Sequence, residues 1–222
     1  MIRSLSAALP RFALFLLALV PVLIGGLILA SMYFGLSNDF NAPKDILRRE
    51  SYPIAVVGHI IGGILVLMLG FTQFSPGIRR RFPRFHRWVG RGLVAAGTWF
   101  AVSGLVMNAS ATGQADSLLY NSAQNVMAVV FLAVLFFGVR AIRQRRVADH
   151  RAWMMRSYAI TLGAATQTVM LLPVFLISGQ PPTGLLTDLV FISGWVVNLA
   201  VAERVIRAPY RRNANARTAP NT

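Results

Sequence analysis

The sequence predicts an all-α protein, a polytopic membrane bundle of about six transmembrane helices with both termini cytoplasmic. Three observations carry this reading. Only 13% of the 222 residues are charged and 55% are hydrophobic, with a mean hydropathy of +0.58. Soluble domains carry about 25% charged residues. Six apolar segments recur that reach, or come close to, the roughly 20 residues a membrane-spanning helix needs. The arginines gather in alternate loops, as they do when those loops face the cytoplasm.

The segments fall at about 12–35, 52–75, 84–108, 122–142, 151–178 and 185–206. The first follows Arg3 and resembles a signal peptide, but a signal core spans about 7–15 residues. This run is longer, so it reads as an uncleaved spanning helix. Pro76 is expected to end the second span, because the residue before proline avoids the helical region. Pro83 suits the first turn of the third. Asp149 is the expected N-cap of the fifth, which carries "TQT" at 166–168 shortly before Pro173. Trp88 and Trp153 fall where indoles meet headgroups. Residues 1–207 read as one transmembrane domain, and the polar residues 208–222 as a disordered cytoplasmic tail.

Charge sets the orientation. Residues 79–91 hold six Arg and no acid, 140–156 six Arg and Asp149, and 203–217 five Arg and Glu203. The alternate loops are different in kind: 109–122 carries only Asp116 and 179–188 only Asp188, while 36–51 balances its charges. The net charge of +15 therefore marks topology and contact with anionic lipid headgroups, with no nucleic-acid partner. The chain has no Cys, which excludes disulfides and thiolate metal centres.

The three histidines are the candidate ligands. His59 lies near the outer end of the second span, and His86 and His150 open the third and fifth on the cytoplasmic side. From His59 to Phe74 is about 22 Å of helix, so a three-His metal site is disfavoured. His86 and His150 share a depth, and each is followed by arginine ("HRW", "HRAW"). Two imidazoles at matched depth can be the axial ligands of one haem iron. Arg87, Arg91, Arg151 and Arg156 are at hand for its propionates. Glycines follow histidine at offsets of four and eleven in both spans, as Gly63 and Gly70 after His59, and Gly90 and Gly97 after His86. Such a stripe, with Gly104 beyond it, admits a flat macrocycle or forms a helix-packing seam. The histidines are equally compatible with a basic collar at the headgroups. His59 is open to pairing with Met107 or to a hydrogen bond to a neighbouring helix. Other polar groups in the spans, such as Gln73, Gln167 and Asn198, suit a substrate path or interhelical hydrogen bonds. No acid lies deep in a span, which lowers the weight of a proton-coupled carrier, and no phosphate loop, GxSxG or HExxH is present.

"GHIIGGILVLMLGFTQF", "RRRFPRFHRWVGR" and "DHRAWMMRSYAITLGA" resemble a bacterial family of predicted inner-membrane proteins known as a domain of unknown function (2306). The resemblance covers about residues 52–175. It puts His59, His86, Gly90, Arg91, His150, Trp153, Met154, Arg156 and Ser157 at the family's marked positions and implies fold and topology. The layout is more loosely similar to membrane cytochromes of the cytochrome b561 and ferric-reductase type, which use two histidine pairs. Three histidines allow one bis-histidine haem. Two functional readings follow. One is a haem-b redox protein of the bacterial inner membrane, with a quinone or another membrane redox protein as partner. The other is a non-redox module: a small-solute or lipid-handling carrier, or an accessory subunit.

Overall fold

The computed structural model describes residues 2–35, 51–109, 117–179 and 184–218, with side chains over 15–35, 51–109, 117–179 and 184–208. These residues form helices α1 (Ile2–Phe34), α2 (Pro53–Gln73), α3 (Pro76–Arg81), α4 (Pro83–Ala109), α5 (Leu118–Arg143), α6 (Val147–Thr161), α7 (Gly163–Ser178) and α8 (Leu185–Thr218), with no strand among them. Six stretches are long and apolar enough to cross a membrane, α6 and α7 together making one. The chain is a multi-pass, all-helical membrane protein.

Four helices form a central ring in which α2 packs on α4, α4 on α5, α5 on α6 and α6 on α2. Within it α4 and α6 stand diagonally. Outside the ring, α1 lies against α2 and α7, and α8 against α5, α6 and α7. Two buried clusters fill the interior. Ala101, Phe131, Val134, Leu135 and Ile160 join α4, α5 and α6. Leu67, Tyr158, Leu162, Ala165 and Ala18 join α2, α6, α7 and α1. Lipid offers apolar groups the same environment as a neighbouring helix does, so close packing rather than hydrophobic burial holds such a bundle. The glycines supply the closeness: a Cβ on Gly62 would fall 2.8 Å from the Ala96 carbonyl oxygen.

Local chemistry differs from expectation at three places. Ser75 is extended, as the residue before Pro76 should be, but Pro76 opens the short helix α3, with the Ser75 hydroxyl accepting from Ile78 N at 3.4 Å. Asp149 is not an N-cap. The cap position belongs to Arg146, which makes no side-chain cap bond, and Asp149 sits in the first turn, 3.3 Å from the Arg146 guanidinium. There its carboxylate still meets the positive helix end favourably. The fifth span is two helices, interrupted at Leu162. The indole of Trp195 from α8 packs directly on Gly163, where any side chain would collide with it. Helix α8 runs on to Thr218.

Candidate functional site

The arginine-rich end of the ring holds His86 and His150. Each is the fourth residue of its helix. Their amides bond back to Phe82 O at 3.1 Å and Arg146 O at 3.0 Å, so each side chain leaves from the first turn of its helix. His150 and Arg79, which belongs to α3, lie near enough to act electrostatically on His86.

The two rings are held differently. Nδ1 of His150 is 2.9 Å from the Gly138 carbonyl of α5. With Nδ1–H donating, that contact fixes the tautomer and leaves Nε2 as the free acceptor, the arrangement that orients a metal-ligating imidazole. A Cβ on Gly138 would meet the flexible end of Met154, with Trp153 Cβ 3.3 Å away. Nδ1 of His86 is buried and has no hydrogen-bond partner among the described residues. A buried polar atom without a partner costs about 1–3 kcal/mol, and Asn121 Oδ1, Thr187 Oγ1 and Asn198 Nδ2 share this state among the described residues.

The arginines divide. Arg87 and Arg151 are exposed. Arg91 is exposed too, and its guanidinium lies 5.1 Å from the Trp88 ring centre. Arg156, grouped with them by sequence, is engaged elsewhere: Nε donates to Glu203 Oε1 at 2.5 Å and the guanidinium covers Trp153 at 4.6 Å. Glu203 also meets Arg207 at 3.4 Å. A lone acid among five arginines was the signal that could have identified this partner.

The glycine stripe is mostly a packing seam. Gly63 lies under the Phe100 ring, Gly70 under Tyr158, Gly97 under Phe131 and Leu135, and Gly104 under His59. Only Gly90, one turn beyond His86, has a looser neighbour, the Gln73 side-chain oxygen. Gln73 thereby joins the His86 neighbourhood. His59 stands apart, toward the opposite end. Its Nδ1 is 2.9 Å from the Phe100 carbonyl and its ring stacks on Phe100 with centres 4.3 Å apart.

Among the described residues no group of three or more His, Cys, Asp or Glu is placed to hold a metal ion, so any iron held here would rest on two imidazoles. Neither the curated proteins nor the solved structures yield a match. The family model described as "Predicted membrane protein (DUF2306)" matches residues 56–206. That stretch contains the whole helical ring from early α2 onward, all three histidines and the Arg156–Glu203 pair, and the chain belongs to this family.

Proposed function

We propose that the protein is a bacterial inner-membrane redox protein that holds one b-type haem between His86 and His150 at its cytoplasmic end. The observation that carries this reading is the pair of imidazoles, each in the first turn of its helix. One ring is locked by the Gly138 carbonyl, and the other keeps a buried ring nitrogen without a partner. The donor chemistry fits a bis-imidazole iron. When bound, the haem supplies one-electron transfer. The chain's own part is to orient and to neutralise. Gly138 fixes the His150 tautomer. Arg87, Arg91 and Arg151, without carboxylate partners among the described residues, are the cations for the propionates. Arg156 is a positioning residue that ties α6 to α8 through Glu203. A quinone or another membrane redox protein is the electron partner.

A second reading has its own support. The seams under Phe100, Tyr158 and Phe131 leave no slot for a macrocycle along most of the glycine stripe. A non-redox module, whether a carrier for lipid or small solutes or an accessory subunit, would use the exposed arginines for anionic headgroups. Absorption spectra of the purified protein, oxidised and dithionite-reduced, separate the two. The haem reading expects a sharp reduced α-band in wild type that is lost in His86→Ala and in His150→Ala. Wild-type protein that stays colourless after expression with ample haem would refute it and leave the second reading.

A further inference from the structure

At the end of the bundle opposite the arginines, α2 and α4 enclose a groove that the histidine site does not use. Its two lobes, of about 330 and 350 Å3, share Pro53, Ile54 and Trp99. The first lobe adds Tyr52, Val102 and Ser103 and the second Val57 and Gly58. These volumes sit at the lower end of the range for small-molecule sites, which are mostly apolar with a few placed polar groups.

Trp99 is the placed group. Its indole edge lies flat against the Gly58 backbone, where a side chain would run into Nε1, and the residue remains 52% exposed to the groove and the surrounding bilayer. Its N–H has no acceptor among the described residues. Trp99 is about 24 Å along α4 from Pro83 and about 15 Å from the other end at Ala109, so the donor stands within the hydrocarbon, where water cannot satisfy it. Indole N–H groups in such surroundings ordinarily find a partner. Nearby polar groups are already engaged: Ser103 donates to the Trp99 and Phe100 carbonyls at 2.7 and 3.1 Å, and His59 Nδ1 bonds to that same Phe100 oxygen.

The missing partner is therefore an acceptor oxygen on an otherwise apolar molecule that resides at hydrocarbon depth. Phospholipid ester oxygens lie nearer the interface. A lipid-soluble quinone has the required features: a flat ring to lie between the Trp99 and Tyr52 faces, a carbonyl for the indole N–H, and a tail that remains in the bilayer. We propose that this groove binds a lipid-soluble quinone, its carbonyl accepting from Trp99 Nε1. The assignment extends the redox reading by locating its partner, but the binding itself needs no haem.

The experiment titrates the full chain in lipid nanodiscs with decyl-ubiquinone and follows tryptophan emission, which quinones quench. Wild type is expected to show saturable quenching. Val102→Phe, which fills the first lobe from a lipid-facing position and leaves Trp99 in place, should weaken the affinity at least tenfold. Trp99→Phe should abolish the saturable component. Quenching that rises without saturation, or with equal affinity in wild type and Val102→Phe, overturns the assignment. Displacement of the quinone by decyl alcohol at equal concentration also overturns it, because the groove would then be reading hydrocarbon alone. Read beside the wild-type spectrum, the titration separates the two claims: quinone binding by a colourless wild type removes the haem and keeps this site, and a wild type that shows the haem band but binds no quinone does the reverse.

Discussion

At the scale of single residues, the contacts that matter are those between a side chain and one backbone carbonyl. The Gly138 oxygen orients His150 and the Phe100 oxygen orients His59, and neither acceptor has a signature in the sequence because every residue carries one. That is why the histidines were legible as candidates but their second contacts were not. The consequence can be tested at Gly138. Gly138→Ala pushes a methyl group into Met154 and against Trp153, and overpacking of this kind costs about 1–3 kcal/mol. The expected result is a lower melting temperature in detergent, with the loss of any haem band exceeding that seen in Met154→Leu, which keeps the packing volume. Equal losses in the two variants would show that Gly138 acts through packing alone. Glu203 is the second test. Its pair with Arg156 is largely sheltered, at 29% and 24% side-chain exposure. Hydrogen bonds to charged groups are worth about 1.5–3 kcal/mol, discounted here for the exposed remainder. Glu203→Gln is expected to lower stability by about 1 kcal/mol, and Arg156→Lys by a similar amount, because lysine cannot both bond Glu203 and cover Trp153. The double variant should lose less than the sum, and strict additivity would mean that the pair contributes nothing.

Among the elements, the spans were plain in the sequence because length and hydropathy suffice to mark a helix that must satisfy its own backbone in lipid. The finer punctuation was not. The break at Leu162 depends on Trp195, which is more than thirty residues away and meets Gly163 only after α8 has packed. The place of Asp149 was misread because a carboxylate is favourable both at the cap and in the first turn, and pattern alone does not choose between them. The seams, by contrast, were legible as glycine spacing and ambiguous only in what they admit. Gly62→Ala tests the one between α2 and α4 where backbone meets backbone. The obstacle there is the Ala96 carbonyl, a backbone atom that cannot rotate away, so the two helices must part. A loss of about 1–3 kcal/mol is expected, against little change for Gly92→Ala, one turn before Ala96 on α4, where a Cβ meets nothing within 4 Å. A thermal melt of the two variants side by side reads the difference. If they melt together, close approach is not what holds the pair.

For the whole molecule, the decisive asymmetry is electrical. The arginine-bearing ends of α3, α4, α5, α6 and α8 gather on one face of the bundle, together with the histidine site. The groove around Trp99 lies toward the other face, where Asp188 is buried and accepts from the Ser117 hydroxyl that also caps α5. If the arginine face is cytoplasmic, the haem reading puts electrons in contact with cytoplasmic donors or acceptors and the quinone groove in the outer leaflet. If it is external, both assignments change sides. The chain contains no native cysteine, which makes the question direct to answer. Gln144→Cys, between two arginine-bearing helices, should stay unlabelled by a membrane-impermeant maleimide in intact spheroplasts and react only after the membrane is opened. Thr183→Cys, shortly before α8 in the sequence, should react at once. The positive-inside bias is counted over the short segments between spans, and both positions fall in such segments. Labelling of Gln144→Cys in intact cells would invert the topology, move the histidine site to the outer surface, and leave the exposed arginines without the anionic cytoplasmic leaflet that their number implies.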